Sequence, residues 1–218
     1  MPKPTATPLR TVQGGFAAHV RKWGNGCGSS QCPPHNPATR VCHARGVLPC
    51  DVAFVGEAPG ESENVLGRPF CGPAGHLMDE IVARVKRLVS MVPDATHPAG
   101  ARPWTHAFMN VVGCIPREGG GTSKAGEPDA EQMECCGGRL EELLLLARPK
   151  LVATLGTCSR DWLRPGFVNP TRVLPKDTLY AALYHPAYIL RAPVAQRGIL
   201  IQHTVAALAS TIDKVKGT

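Results

Sequence analysis

The chain has 218 residues, a length that suits one domain with its own hydrophobic core. Its longest apolar runs fall short of the ~20 residues of a membrane span, and MPKPTATPLR lacks the apolar centre of a secretory signal, so we expect a soluble, cytoplasmic protein. The 24 lysines and arginines exceed the 17 acidic residues and give a net charge of +7, which suits a polyanionic partner without identifying one.

The first fifty residues differ in composition from the rest of the chain. Residues 1–26 carry Pro, Thr, Gly and basic residues with a weak apolar pattern, and we interpret them as an N-terminal extension leading into a short helix. Residues 27–50 are rich in Cys, Pro, His and Arg and are typical of a loop organised by ligation. The chain has nine cysteines but no export signal, so metal ligation explains some of them better than disulfides do.

Apolar runs and helical periodicity alternate along the remainder. The predicted strands cover about 51–56, 107–113, 150–155 and 178–184. The predicted helices cover about 74–92, 129–147, 157–164 and 193–214, with Asp129 as an N-cap. This alternation predicts an α/β fold of three layers, in which a four-stranded, mainly parallel central sheet is covered by helices on both faces.

The loop after the first predicted strand is the most distinctive segment. It reads VAFVGEAPGESENVLGRPFCGPAG from Val52 to Gly75. Its glycines and prolines predict two turns in which the backbone lies where a side chain would obstruct. Two later segments also follow strand ends, NVVGC at 110–114 and HPAYILR at 185–191. Because ligands bind at the carboxyl edge of an open parallel sheet, we expect all three segments to meet there.

These three segments resemble the signatures of the family 4 uracil-DNA glycosylases, in the same order. That family comprises the iron–sulfur enzymes of the uracil-DNA glycosylase superfamily, and the resemblance covers roughly residues 27 to 210. It implies a monofunctional DNA repair enzyme that flips uracil out of single- or double-stranded DNA and hydrolyses its N-glycosidic bond, leaving an abasic site. A glycosylase-like domain with a metal-cluster loop would then occupy residues 27–218, as a monomer.

The resemblance also implies how uracil is held. Substrate contacts fall to Gly56, Ala58, Phe70 and Asn110. The Asn110 amide can donate to uracil O4 and accept from N3–H, a pattern that cytosine reverses. The Phe70 ring would stack on the flipped base.

Catalysis would depend on Asn110 and two further residues. His185 would donate a hydrogen bond to the charge that develops at uracil O2. Better-known members of the superfamily carry an aspartate in the first signature where this chain has Ala58, so Glu57 is the nearest carboxylate to orient the water. Between the two turns of the first signature lies an acidic spacer, residues 61–64. The family commonly has Glu-Asp there, whereas this chain has Glu63 followed by Asn64.

The third signature implies the grip on DNA. The segment 189–191 would enter the minor groove, with Leu190 filling the gap left by the flipped nucleotide and Arg191 neutralising phosphate. Tyr188 is the third residue expected to contact DNA.

Four cysteines would hold a [4Fe–4S] cluster. The assigned ligands are Cys27, Cys32, Cys114 and Cys136. The family usually shows C-x-x-C where this chain has C-x-x-x-x-C, which leaves Cys42 as a rival for the first ligand. Cys135 is the rival for Cys136, and zinc would accept the same four thiolates.

Two other functions stay open at this point. A DNA- or uracil-binding member with weak catalysis is suggested by Asn64, by the altered cysteine spacing and by Gly113, where the family often has lysine. A glycosylase for hypoxanthine or xanthine would use the same residues, so only substrate assays separate it from a uracil enzyme.

Overall fold

The structure, a computed structural model, describes residues 10–33, 35–91, 104–118, 125–163 and 174–216. Its helices are α1 (Arg10–Trp23), α2 (Glu61–Leu66), α3 (Pro73–Met91), α4 (Ala130–Ala147), α5 (Thr157–Leu163), α6 (Pro186–Arg191) and α7 (Val194–Lys216). Its strands are β1 (Arg45–Gly46), β2 (Val52–Gly56), β3 (His106–Asn110), β4 (Leu151–Leu155) and β5 (Leu179–Leu183).

The sheet confirms the predicted parallel core and adds one strand to it. The strand order is β1-β3-β2-β4-β5, and the four longer strands are all parallel. Strands β2 and β4 are buried along their whole length, as expected for strands covered on both faces. The two-residue β1 pairs antiparallel with β3 at the edge, and a strand of that length has no periodicity by which sequence could predict it.

The core has two halves, one on each face of the sheet, which confirms the three-layer architecture. On one face Phe54 and Phe108 pack with side chains of α3, α6 and α7. On the other, Val55 and Met109 pack with α4 and α5, and Phe16 of α1 contacts the same cluster. Neighbouring residues of one strand therefore face opposite layers, as the two-residue period of a strand requires.

Three local features depart from the sequence predictions. The second predicted strand extends to residue 113, but β3 ends at Asn110, because the next two amides leave the ladder and donate to the carbonyls of Gly56 and Glu57. The short helices α2 and α6 lie within the first and third signatures, where the sequence predicted no helix. Each has only six residues, which is too few to show helical periodicity.

Part of the predicted N-terminal extension is a docked helix. In α1, Nε1 of Trp23 donates to the Glu142 carboxylate of α4 at 2.8 Å, and Nδ1 of His19 lies 3.3 Å from the same group. Residues 1–9 lie outside the described part, and the boundary at residue 27 stays a prediction. Within the described ranges, every helix is too short or too polar to cross a membrane.

Candidate active site and cysteine centre

A cleft of about 1240 Å³ opens at the carboxyl edge of the sheet. Its walls include residues that directly follow or end the parallel strands: Glu57 after β2, Asn110 at the end of β3, Gly156 after β4 and His185 after β5. All three sequence segments singled out above therefore contribute to one cleft. This position agrees with the rule for ligand sites in open parallel sheets.

Two side chains of the cleft wall, Asn110 and Phe70, pack on Gly56, which does not itself line the cleft. A Cβ on Gly56 would lie 2.6 Å from Oδ1 of Asn110 and 2.6 Å from Cζ of Phe70, so any larger residue would displace both side chains. Asn110 is 2% exposed, and its Oδ1 has no hydrogen-bond partner among the described residues. A buried amide oxygen without a partner leaves an acceptor available at the cleft.

Phe70 adopts an unusual backbone conformation. Its φ is +55°, in the left-handed region that costs a non-glycine residue of order 1–3 kcal/mol and clusters at ligand sites. Helix α3 begins so close to Phe70 that a Cβ on Gly75 would overlap the Phe70 carbonyl, so this position requires glycine. The ring packs against Phe108 at 5.2 Å between centroids, and its centroid lies 6.4 Å from that of His185.

His185 caps helix α6 and is held in one orientation. Its Nδ1 accepts a hydrogen bond from the Ala187 amide at 3.2 Å, which assigns the ring proton of the neutral form to Nε2. Burial, together with the nearby Arg191 charge, lowers the pKa of His185 to about 4. At neutral pH the side chain is therefore an uncharged imidazole with one N–H donor.

Glu57 is a partly buried carboxylate in the cleft wall. Burial raises its pKa above the usual range, the Glu127 carboxylate adds to this, and Arg191 opposes it. Such a group is more basic than an exposed carboxylate and can accept a proton or orient a water. Ala58, the next residue, also lines the cleft.

The acidic spacer supports the backbone around the cleft. The Glu63 carboxylate accepts from the amides of Gly60 and Gly72 at 3.2 and 2.8 Å, and so joins the two turns of the first signature. Asn64 is buried, accepts from the Arg40 amide at 2.8 Å and donates to the Ala38 carbonyl at 2.9 Å. An aspartate could not make the second bond in its charged form, so asparagine suits this position.

The third signature forms one rim of the cleft. Tyr188 and Arg191 line it and are exposed. Ile189 is 1% exposed and belongs to the core, so the wedge expected of segment 189–191 does not include it. Leu190 is half-buried, with part of its side chain against the core. Sequence reasoning missed Tyr184, whose exposed ring stacks on that of Tyr188 at 5.8 Å.

Four cysteines meet behind the second signature. The Sγ atom of Cys32 lies 3.6 Å from that of Cys27 and 3.4 Å from that of Cys114, and the Cys27 and Cys136 sulfurs are 3.5 Å apart. Hydrogen bonds from Cys27 and then Cys32 hold the pKa of Cys136 well below that of an ordinary thiol. These are the four cysteines assigned as ligands from the sequence.

The two rival cysteines lie elsewhere. Cys42 is fully buried, but its thiol donates to the carbonyl oxygen of Glu63 at 3.3 Å and does not join the sulfur group. Cys135 is exposed on the surface of α4, one position away from Cys136. The longer spacing between Cys27 and Cys32 is accommodated by Gly26 and Gly28, which have φ values of +80° and +92°.

The fold and cleft are those of an α/β protein that binds a ligand at the carboxyl edge of its sheet. Residues 45–209 match the model of the uracil DNA glycosylase superfamily, so the chain belongs to that superfamily. This confirms the resemblance carried by the three signatures.

Several relatives share most of the chain, each named type-4 uracil-DNA glycosylase. The protein from Thermotoga maritima is 29% identical over 73% of this chain and 77% of its own length. That from Pyrobaculum aerophilum is 29% identical over 77% and 82%, and that from Archaeoglobus fulgidus is 27% identical over 75% and 78%.

Proposed function

We propose that this protein is a uracil-DNA glycosylase, which hydrolyses the N-glycosidic bond of a uracil flipped out of DNA and leaves an abasic site. The observation that carries the proposal is the buried Asn110 amide in a cleft that also holds the Phe70 ring and a neutral His185. The names of its relatives support the same activity.

Base recognition rests on Asn110. Its unpaired Oδ1 is available to accept from uracil N3–H, and its Nδ2 to donate to O4. Cytosine offers the opposite pattern of donor and acceptor at these atoms and would leave both amide groups unsatisfied, which is costly in a buried site. Phe70 supplies the face on which the base stacks, while Gly56 and Ala58 leave room for it.

Bond cleavage depends on stabilising two opposite charges. As the glycosidic bond breaks, negative charge grows on uracil and the sugar becomes cation-like. The Nε2–H of His185 is assigned to donate to uracil O2. The lowered pKa of His185 means that the donor is the neutral ring, whose Nδ1 stays free of a proton and accepts from the Ala187 amide. Glu57 is assigned to orient the attacking water and to stabilise the sugar cation, since its carboxylate lines the same cleft.

Contact with DNA falls to the rim formed by α6. Arg191 is exposed there and is assigned to a phosphate, and Tyr188 beside it offers an aromatic face. Leu190 is assigned to fill the position of the departed nucleotide, because its side chain is apolar and half-exposed on the same helix. The excess of basic residues in the whole chain favours a polyanionic partner.

The four-cysteine centre is proposed to hold a [4Fe–4S] cluster. Its donor set fits, since four thiols from the loop 27–32, from the second signature and from α4 converge there. The sulfurs touch one another, and no three His, Cys, Asp or Glu side chains in the described ranges surround a point where an ion could sit. Four thiolates would accept either a [4Fe–4S] cluster or a zinc ion, so metal analysis separates the two. When bound, the group would fasten the loop to α4 behind Asn110.

The departures from the family pattern do not argue for a protein that only binds. Asn64 accepts from one backbone group and donates to another, and a carboxylate could not do both, while Gly113 lies directly under a buried arginine side chain. The structure therefore explains why asparagine and glycine occupy these two positions without invoking a loss of catalysis. Base range is a matter for assay, because hypoxanthine and xanthine would enter the same cleft.

The deciding experiment uses labelled oligonucleotides with one uracil, hypoxanthine or xanthine, in single-stranded and duplex form. Alkali cleaves the strand wherever a base has been removed. We expect cleavage at uracil, and a strong loss in Asn110→Asp, a variant of nearly equal volume that cannot donate from its charged side chain. Binding of uracil DNA without cleavage at any base would establish a binding protein, and faster cleavage at hypoxanthine or xanthine would establish another base specificity.

A further inference from the structure

A buried arginine lies between the cysteine centre and the cleft. Arg139 on α4 is 1% exposed, three residues after Cys136. Its Nη2 donates to the main-chain carbonyls of Asn110 and Val111 at 2.5 and 3.1 Å, and its Nη1 donates to that of Cys42 at 3.3 Å. One guanidinium therefore joins α4 to the second signature and to the cysteine-rich loop.

This guanidinium has no carboxylate partner. In the part of the chain that the structure describes, every ion pair within 4.0 Å involves other residues. Arginine is charged at all relevant pH values, and a buried charge is costly unless it is well hydrogen-bonded. The three main-chain carbonyls that accept from Arg139 therefore hold the guanidinium in place, and it holds them in turn.

Gly113 connects the arginine to the sulfurs. A Cβ on Gly113 would lie 2.8 Å from Nε and 3.1 Å from Cζ of Arg139, so the guanidinium lies directly over this residue. The backbone of Gly113 also hydrogen-bonds the Cys136 thiol, and its carbonyl accepts from the Cys42 amide at 2.7 Å. The next residue is Cys114. A chain of contacts therefore runs from the four cysteines through Gly113 to Arg139.

We propose that Arg139 is a positioning residue that couples the four-cysteine centre to Asn110. Its guanidinium fixes the main-chain carbonyls of Asn110 and Val111, which sets the direction of the Asn110 amide in the cleft. Its own position depends on the two ligands beside it, since Cys136 precedes it by about one turn of α4 and Cys114 follows Gly113, over which the guanidinium lies. The Asn110 end of this coupling rests on the proposed function, whereas the cysteine end does not. When no metal joins Cys114 to Cys136, α4 and the second signature are held together less firmly, and Arg139 fixes the two carbonyls less well.

The test compares three variants with wild type. Arg139→Met removes the charge at similar volume, Arg139→Lys keeps the charge but loses the forked donor, and Arg84→Met removes an exposed arginine of α3 as a control. Four properties are measured: metal release to excess chelator, amide hydrogen exchange in peptides covering 110–114, single-turnover excision of uracil, and DNA affinity.

We expect Arg139→Met to release metal roughly 10–100-fold faster and to lose excision by a similar factor at unchanged DNA affinity. Exchange should rise at the amides of Val111 and Val112, which donate to the carbonyls of Gly56 and Glu57 in the intact protein. Arg139→Lys keeps a donor but loses the fork, so it should recover only part of the metal retention and part of the protection. Chelation of wild type should raise exchange at the same two amides.

Several outcomes would overturn the proposal. Metal retention in Arg139→Met equal to that of Arg84→Met removes the link to the cysteine centre. Unchanged exchange at 110–114 in Arg139→Met removes the link to Asn110. If Arg139→Met does not fold, Gly113→Ala serves instead, because its Cβ displaces the guanidinium and keeps the charge. Unchanged exchange at 110–114 in Gly113→Ala would likewise remove the link to Asn110. A wild type that excises no base refutes the proposed function, yet the metal and exchange measurements still decide the coupling.

Discussion

The side chain of Asn110 lies over Gly56 at a distance that no other residue would allow. A Cβ at position 56 would sit 2.6 Å from Oδ1 of Asn110, which is closer than real Cβ contacts come. The two residues end neighbouring parallel strands and are paired in register. The base-reading amide therefore rests on bare backbone of the adjacent strand.

Gly56→Ala should impair excision more than folding. The added methyl group displaces the Asn110 amide and the Phe70 ring together, and misplacement by about 1 Å can cost on the order of 10²-fold in rate. The matched control is Gly198→Ala in α7, where a Cβ meets nothing within 4 Å. That variant should gain about 0.5–1 kcal/mol in stability with unchanged excision. Near-normal single-turnover rates in Gly56→Ala would show that the amide is not confined in this way.

His185→Ala should slow excision by about 10²–10³-fold with little effect on DNA affinity, because a donor to developing charge acts mainly in the transition state. His185→Gln retains an N–H donor and should recover part of the loss. His76→Ala, an exposed histidine of α3, serves as the control. Single-turnover rates on saturating enzyme measure the effect, and an unimpaired His185→Ala would remove the proposed donor.

Buried neutral histidines should make the fold sensitive to acid. Burial lowers the pKa of His106 and of His185 to about 4 from the ordinary 6.5. Between pH 6.5 and 4 the unfolded chain binds these protons and the folded chain does not, so stability falls as pH decreases across that window. Below about pH 4 the folded form also binds them, and this contribution stops growing.

The measurement is the free energy of unfolding in urea at several pH values. In His106→Leu one of these protons is gone, so the slope between pH 6.5 and 4 should decrease by about 1.4 kcal/mol per pH unit. The substitution keeps an apolar group among the rings of Phe54, Trp104 and Phe108, which surround His106. A slope equal to that of wild type would mean that His106 titrates normally in the folded protein.

The sequence predicted the parallel sheet and the position of the cleft because long apolar runs and strand-end loops leave a clear pattern. Four of the strands and the long helices were predicted within a few residues, except that β3 is shorter. The second signature looked like a strand to residue 113, since Val111 and Val112 are apolar. They leave the strand because their amides donate to the carbonyls of Gly56, the last residue of β2, and of Glu57 after it, which are tertiary contacts.

Other features of the site were hidden for physical reasons. The exclusion of Cys42 and Cys135 depends on where each thiol points, which spacing alone does not determine. Arg139 did leave a signal, because it interrupts the apolar face of α4 between Cys136 and Leu143. A basic residue at such a position either reaches the surface or finds partners in the interior, and only the structure distinguishes the two.

The cysteine assignment gives a direct prediction. Cys27→Ala should lose the metal, whereas Cys42→Ala and Cys135→Ala should retain it, because the latter two thiols lie outside the sulfur group. Purified wild type should be brown, with about four iron and four sulfide per chain. Metal analysis and visible absorbance measure this. Stoichiometric zinc without visible absorbance would rule out the iron–sulfur cluster, and loss of metal in Cys42→Ala alone would refute the choice of Cys27.

The last prediction separates contact with phosphate from opening of the base stack. Arg191→Ala should weaken DNA binding regardless of sequence and flatten the salt dependence by about 0.9 in the slope of log K against log salt, the share of one phosphate. Arg84→Ala on α3 removes an equal charge away from the cleft and should leave that slope unchanged.

Leu190→Ala should impair excision from duplex far more than from single strands, because a single strand has no stack to open and no gap to fill. The side chain packs partly against the core, so the variant also loses some stability, which affects both substrates equally. The ratio of the two single-turnover rates therefore isolates the wedge from the change in folding. Equal losses on both substrates would remove Leu190 from this role and leave the exposed rings of Tyr184 and Tyr188 as the groups on this rim able to stack on DNA bases.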